Sequence, residues 1–123
     1  MRILLAIFIL SILSASCTKE LKYSKEQVLA LAQAADSTVT VILPKSISEG
    51  VTCDDYAQGC LSAHIVRVQN LDMIAVEFGT EAEAIYGAKK IKGYQLRNWV
   101  FDDVVGEPVL EKFVETGLKA KKP

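Results

Sequence analysis

Downstream of residue 23, three stretches place apolar residues at helical spacing, so that they fall on one stripe of each helix. The first follows a capping-box signature at 24–27 and ends near Asp36. The second follows a similar signature at 80–83 and ends at Gly93, a residue typical of helix termination. The third begins at Pro108, which suits a first helical turn. The stripes consist of Val28, Leu29, Leu31, Ala32 and Ala35, of Ala84, Ile85, Ala88 and Ile91, and of Val109, Leu110, Phe113, Val114 and Leu118.

Four other stretches are rich in β-branched and aromatic residues, which favour strands. They cover residues 38–43, 64–69, 73–78 and 99–105. Residues 70–72 between the middle two fit a short hairpin loop. Within the third stretch Ile74, Val76 and Phe78 alternate with other residues, so we expect these three side chains to face the core together.

The order of these elements predicts an α+β fold. An antiparallel sheet of about four strands with the helices packed on one face would bury the apolar stripes. Residues 45–62 are irregular in pattern. If they contain a helix, the middle of the chain reads β-α-β-β-α-β and resembles the ferredoxin-like split βαβ arrangement, an analogy that carries no function.

The first sixteen residues have a different pattern, typical of a secretory signal peptide. Arg2 is followed by an uncharged apolar run, Ile3 to Leu13, and then by the small residues 14–16. A membrane-spanning helix needs about 20 apolar residues, roughly twice the length of this run. We therefore expect residues 1–16 to be removed on export.

The next residue is Cys17, and here the sequence resembles the precursor of a bacterial lipoprotein. In that family a Leu, two small residues and a Cys form the lipobox, and the cysteine becomes the acylated N-terminus. Here the small residues are Ala15 and Ser16, while Ser14 stands where Leu is usual. Ser14 and Ser16 also satisfy the rule for ordinary signal cleavage, so a soluble product beginning at Cys17 stays open. The resemblance implies a lipid anchor at Cys17, and Thr18 in place of Asp implies the outer membrane, facing the periplasm.

Cysteine usage agrees with this interpretation. The chain has three cysteines, and an odd thiol in an exported protein needs an explanation. If lipid takes Cys17, then Cys53 and Cys60 form an even pair that can bond across a short loop in an oxidising compartment. Two thiolates with His64 could also bind a metal, but zinc sites usually pair cysteines two to four residues apart. We expect a structural disulfide, no metal and no cofactor.

Charge and length limit the partners. With a net charge of −1, the chain gives no electrostatic reason to bind nucleic acid. Residues 73–93 resemble part of an RNA-recognition motif, but 71–78 lack its basic residue and stacking aromatic. We divide the chain into a signal peptide (1–16), a lipidated tether (17–23), one α+β domain (24–118) and a solvated basic tail (119–123).

Candidate chemistry is sparse. The sole histidine, His64, has no partner serine or cysteine that its position in the sequence identifies. Asp102 and Asp103 would point to opposite faces of a regular strand unless a bulge redirects one of them. The segment between the cysteines, with Asp54, Asp55 and Tyr56, is a candidate binding loop, since scaffolded loops often bind partners.

We therefore expect a lipid-anchored envelope protein that binds, or is an accessory to, another envelope component. Absence of catalysis is the favoured interpretation. The alternative is a soluble periplasmic or secreted enzyme. It would be a hydrolase or a thiol redox protein, using His64 or the pair of Cys53 and Cys60.

Overall fold

The computed structural model describes residues 21–46 and 50–123. Within them the predicted α+β class and antiparallel sheet are confirmed, with five strands in the order β1-β2-β3-β5-β4. The predicted signal peptide and Cys17 lie outside the described residues. The helices are α1 (Lys25–Ala35), α2 (Glu81–Ile91) and α3 (Pro108–Lys112), the last continued by a π-helical turn, Phe113–Gly117. The strands are β1 (Thr40–Ile42), β2 (Cys60–Val68), β3 (Leu71–Phe78), β4 (Tyr94–Leu96) and β5 (Trp99–Asp102).

The three predicted helix starts are confirmed, two of them with side-chain caps. The Ser24 hydroxyl accepts from the Gln27 amide at 3.2 Å, and the Gln27 side chain accepts from the Ser24 amide at 2.8 Å, which completes the capping box. Thr80 caps α2 by accepting from the Glu83 amide at 3.0 Å. The Glu83 carboxylate, however, accepts from the Thr80 hydroxyl, also at 3.0 Å. Each cap satisfies amides that the first helical turn leaves without partners.

The hairpin between β2 and β3 also forms, with a tighter turn than the sequence suggested. Gln69 and Asn70 both have positive φ, 49° and 68°, as a two-residue turn between twisted strands requires. β2 begins at Cys60 rather than at His64, and its pairing with β3 is irregular between Cys60 and Ser62. The early start matters because it places Ser62 on the same strand as His64.

Helices cover both faces of the sheet, so the expectation of one covered face is wrong. On β3, Met73 and Ala75 belong to one buried cluster, whereas Val76 and Phe78 belong to another. The first cluster includes residues of α1 and α3, and the second includes Ala84 and Ala88 of α2. Neighbouring residues of a strand point to opposite faces, so the two clusters are the two sides of the sheet. We call these sides the α1/α3 face and the α2 face.

The sequence predicts that Gly93 terminates α2, but a different residue adopts the left-handed conformation at the end of the helix. Lys92, not Gly93, is left-handed, with φ 55°. Gly93 instead donates its amide to the Ala88 carbonyl at 3.0 Å. A Cβ on Gly93 would lie 2.9 Å from the Phe101 carbonyl oxygen and 2.6 Å from Val100 Cγ1, so glycine is needed for close approach of the chain.

The C-terminal basic residues are exposed, as a solvated tail would be, but the backbone is held to the sheet at one point. Lys121 and Gln95 exchange backbone hydrogen bonds of 2.9 and 2.7 Å in an antiparallel bridge. Ala120 beside them is buried. Lys121 is therefore bridged to β4, a short strand that the sequence did not predict.

The ferredoxin-like arrangement stays unconfirmed. It depended on a helix between β1 and β2, and the described part of that segment contains one short 3₁₀ turn, Cys53–Asp55. Among residues 21–46 and 50–123, no helix is both long and apolar enough to cross a bilayer.

Candidate functional site

The predicted pairing of Cys53 with Cys60 is confirmed in geometry. Their sulfurs lie at disulfide distance, and their Cα atoms are 5.5 Å apart. Thr52 caps the 3₁₀ turn between them by accepting from the Asp54 amide at 3.3 Å. The cross-link therefore closes a short loop that leads directly into β2.

Within the candidate binding loop, the tyrosine and the two acids have different environments. Tyr56 is half-buried against the apolar cluster of the α2 face, and its hydroxyl donates to Asp102 Oδ2 at 3.0 Å. Burial, with the charge of Asp102, raises the pKa of Tyr56. Asp54 and Asp55 are exposed. Tyr56 thus anchors the loop to the sheet, and the two carboxylates remain accessible to a partner.

Asp102 is the last residue of β5, and Asp103 follows it outside the strand. Asp103 adopts a left-handed conformation with φ 60°, and its amide donates to Asp102 Oδ1 at 2.9 Å. Burial and the neighbouring Asp102 charge raise the pKa of Asp103. The expectation that these acids point apart assumed a regular strand, which the structure does not have at this position.

His64 has a neighbouring serine that the sequence reading missed. Its Nε2 lies 3.1 Å from Ser62 Oγ, and Ser62 Oγ donates to Glu77 Oε1 at 3.0 Å. Ser62 and His64 are two positions apart on β2, hence on one face, and Ser62 pairs with Glu77 across to β3. A predicted strand beginning at Cys60 would have placed Ser62 and His64 on one face by their two-residue spacing, whereas the contact with Glu77 depends on the register between β2 and β3.

The direction of the hydrogen bonds among His64, Ser62 and Glu77 determines what these three side chains can do chemically. A serine hydroxyl has one proton, and an ionised carboxylate can only accept. Because Ser62 donates to Glu77, His64 Nε2 must be the donor to Ser62. A nucleophile–base pair needs the opposite direction, with the histidine accepting the serine proton and a third group orienting the histidine. In this arrangement the carboxylate orients the serine, and His64 Nε2 is not free to act as its base.

The environment of His64 favours its neutral form. Burial lowers its pKa, the Lys25 charge lowers it further, and Glu77 acts in the opposite direction. The imidazole centroid lies 6.3 Å from that of Trp99, at a tilt of 35°. This polar group therefore borders the apolar interior of the α1/α3 face.

Beside His64 a cavity of about 30 Å³ lies between α1 and the sheet. Most of its lining is apolar, with Lys25 and His64 as the polar members. Small-molecule sites usually have volumes of about 300–1,000 Å³, whereas one water needs about 10–15 Å³. The cavity has room for one or two waters and is too small for a metabolite.

A wider surface groove of about 380 Å³ lies between the end of α1 and the π-helical turn. Its acidic member, Asp36, already accepts from the Thr38 amide, the Thr38 hydroxyl and Gln69 Nε2, at 2.8, 2.6 and 2.7 Å. These hydrogen bonds, that of Gln69 first, lower the pKa of Asp36. The carboxylate is thus fixed by its own neighbours and joins the end of α1 to the hairpin.

The segment that precedes α1 is clamped to the sheet. The Asn98 side chain accepts from the Tyr23 amide at 2.7 Å and donates to the Tyr23 carbonyl at 3.3 Å. The Trp99 indole donates to the same carbonyl at 2.8 Å, and the Arg97 guanidinium lies 4.0 Å from the centre of the Tyr23 ring. Asn98 and Trp99 are buried, so the chain is held firmly from Tyr23 onward.

Within the described ranges, no group of three or more His, Cys, Asp or Glu residues is arranged to bind a metal ion. No known protein-family pattern, curated protein or solved structure matches this chain. Its function must therefore be argued from its own residues.

Proposed function

We propose that this chain is a lipid-anchored envelope protein whose α+β domain binds, or is an accessory to, another envelope component, without catalysis. The observation that carries the proposal is the distribution of its three cysteines. Cys53 and Cys60 lie at disulfide distance, as suits an oxidising compartment. The remaining cysteine is Cys17, which follows a lipobox-like sequence.

The clamp at Tyr23 supports a short connection between anchor and domain. Tyr23 lies six positions after Cys17, and an extended chain of that length spans at most about 20 Å. Since Tyr23 is fixed by Asn98 and Trp99, a domain anchored at Cys17 would stay within that distance of the bilayer. The proposed location is the periplasmic side of the outer membrane. This follows from the resemblance to lipoproteins, because Thr18 instead of Asp follows the cysteine that would be acylated.

The candidate partner surface is the cross-linked loop. Asp54 and Asp55 project from it, while Tyr56 and the disulfide hold its backbone to the α2 face. A preorganised loop loses less conformational entropy when it binds. The partner is proposed to be a protein of the envelope and not a nucleic acid.

Membrane fractionation tests the anchor. Several acyl chains at about 0.8 kcal/mol per buried methylene would make the attachment effectively permanent. We expect the protein in the membrane fraction, and we expect Cys17→Ala to release it with a mass that begins at residue 17. Cys53→Ala is the matched control, because it also replaces a cysteine by alanine but should stay in the membrane. Retention of Cys17→Ala in the membrane would contradict the proposal.

A hydrolase using His64 is the second candidate function, because Ser62 Oγ lies 3.1 Å from His64 Nε2. The donation from Ser62 to Glu77 argues against it, for the reason given above. Hydrolysis of a chromogenic ester by the full chain, compared with Ser62→Ala and His64→Ala, tests it. We expect no activity that depends on either residue. Equal loss in both variants, with unchanged folding, would favour the enzyme.

A thiol redox protein using Cys53 and Cys60 is the other form of the enzyme alternative. It predicts reduction of a disulfide substrate that is lost in Cys53→Ser with the fold intact. The binding proposal predicts instead that the main effect of Cys53→Ser is lower thermal stability.

A further inference from the structure

Basic residues are concentrated in two separate stretches of the sequence. Residues 89–101 and 116–123 together contain seven Lys or Arg residues and no Asp or Glu, although the whole chain has a net charge of −1. Residues 102–115 between them contain five acids and one lysine. In the sequence alone, each basic stretch reads as a solvated helix end or tail.

The fold brings the two stretches together. The backbone bridge between Gln95 and Lys121 places the C-terminal residues along β4. As a result Arg97, Lys119 and Lys121 line one surface depression, and Lys89, Lys121 and Lys122 line the adjacent one. Lys92 joins Lys89 and Lys122 in a third depression. We call this continuous region, made of Lys89, Lys92, Arg97, Lys119, Lys121 and Lys122, the β4 basic surface.

Nearby acids reduce the charge of this surface but do not cancel it. Glu81 and Glu111 border two of the depressions. Lys122 Nζ lies 3.9 Å from Glu115 Oε1, and both side chains are largely exposed. An exposed pair at that distance is weak and screened by salt, so Lys122 remains able to bind another anion. Six cations against three acids leave the region with net positive charge.

The β4 basic surface lies where the chain leaves the domain toward Cys17. Leu21 is 57% exposed and lines the same depression as Arg97 and Lys121. Leu21 lies four positions after Cys17, a span of at most about 14 Å when extended. A domain anchored at Cys17 would therefore hold this surface, with an exposed leucine at its border, close to the lipid headgroups.

We propose that the β4 basic surface binds anionic phospholipid headgroups of the bilayer that holds the anchor, and so fixes how the domain faces the membrane. The proposal rests on the proposed lipid anchor, which would bring this surface to a bilayer and identify that bilayer. Clusters of about 4–8 basic residues near a membrane attract anionic lipid, and stable attachment commonly combines an acyl chain with such a cluster. The three lysines of the C-terminal stretch would bind weakly alone, and the bridge to β4 raises the number to six.

Lysine labelling of the full chain, isolated from cells and mixed with vesicles, tests the proposal. The vesicles consist of phosphatidylcholine alone or with phosphatidylglycerol, and an amine-reactive reagent followed by mass spectrometry reports on each lysine. Phosphatidylglycerol should slow labelling several-fold at the five lysines of the surface, and added salt should reverse the effect. These are Lys89, Lys92, Lys119, Lys121 and Lys122. Lys45 and Lys112 lie outside the surface and should label equally with both vesicles. Equal labelling throughout, or protection spread over all lysines, would overturn the proposal.

Two triple variants with the same change in net charge measure how much the β4 basic surface contributes to vesicle binding. Replacing Lys89, Lys121 and Lys122 by Gln should weaken the phosphatidylglycerol-dependent part of binding by about a hundredfold, since each cation contributes about fivefold. The control replaces Lys25, Lys45 and Lys112 by Gln, which changes the net charge equally, and should bind as the wild type does. Equal weakening of vesicle binding in both triple variants would show that binding depends on net charge alone. It would overturn the proposal that the β4 basic surface is the binding site.

The two vesicle types separate this proposal from the proposed anchor. Attachment to both vesicles with unprotected lysines would retain the anchor and reject the basic surface. Attachment only to vesicles with phosphatidylglycerol, with the protection described, would retain the surface and reject the anchor.

Discussion

The two faces of the sheet are stabilised in different ways. The α1/α3 face contains most of the large buried side chains, including Trp99, Tyr94 and Phe101, together with residues of both covering helices. The α2 face has a smaller cluster in which Phe78 is the one fully buried aromatic side chain among the described residues. Helix α2 covers part of this face, and the loop closed by Cys53 and Cys60 covers another part.

The difference shows how a small domain can hold both sides of one sheet. Apolar burial and long-range hydrogen bonds to Tyr23 stabilise the α1/α3 face. On the α2 face the buried apolar cluster is smaller. The close contact of Gly87 with Phe78 and the disulfide therefore contribute a larger share of its stability. Mutations on the two faces should therefore act through different physical effects.

The largest effect should come from the α1/α3 face. Trp99→Ala removes a 1% exposed side chain and the indole donor to the Tyr23 carbonyl. We expect a loss of about 3–5 kcal/mol in the free energy of unfolding, measured by denaturant titration. Tyr86→Ala, which truncates an aromatic that is 56% exposed on α2, should change it by less than about 0.5 kcal/mol. Similar losses in the two variants would contradict this assignment of the core.

The next effect should come from the cross-link on the α2 face. Replacing Cys53 and Cys60 together by Ser should lower the free energy of unfolding by about 2–3 kcal/mol, the loop-closure value for a cross-link of this length. Reducing the wild type should produce the same decrease in Tm, and the reductant should not affect the double variant. A wild type whose Tm is unchanged after verified reduction would show that the loop needs no covalent support.

A smaller loss should follow from filling the close contact between α2 and β3. A Cβ at Gly87 would lie 2.6 Å from Phe78 Cζ in a fully buried ring, so Gly87→Ala should cost about 1–3 kcal/mol. In Gly79→Ala the added atom would meet the movable Glu83 carboxylate at 3.2 Å, and we expect a smaller change. Thermal unfolding of both variants measures the difference, and the reverse order would contradict the described contact.

The smallest effect should be the titration of His64. Its folded pKa is below the ordinary value of 6.5, mainly because of burial. As the pH falls through about 6.5, the unfolded chain binds a proton first, so stability should decrease and then level off below the folded pKa. NMR titration of the sole histidine gives the folded pKa, and His64→Gln should remove this part of the pH dependence. A pKa at or above 6.5 would contradict the described environment.

Local signals in the sequence predicted the helix starts and the central hairpin. The caps at Ser24 and Thr80 and the first turn at Pro108 depend on residues a few positions apart, which a sequence contains directly. The pairing of Cys53 and Cys60 was equally local, because they are only seven positions apart. These features needed no knowledge of the rest of the fold.

Features that depend on long-range packing were missed. The alternation of Ile74, Val76 and Phe78 correctly predicts that these three share one face, but the run of consecutive apolar residues from Met73 to Val76 is typical of a strand covered on both faces. The short strand β4 and the contact between Ser62 and Glu77 depend on sheet register, which a single strand sequence does not determine. The β4 basic surface exists because Lys121 pairs with Gln95, a contact that no local pattern indicates.

The central claim is that Cys17 carries lipid while Cys53 and Cys60 are bonded to each other. The intact mass of the protein from a membrane fraction, with and without reductant, tests both parts at once. We predict a mass equal to residues 17–123 plus acyl groups, rising by two hydrogens on reduction. An unmodified mass beginning at Cys17 would contradict the anchor, and a mass unchanged by reductant would contradict the disulfide.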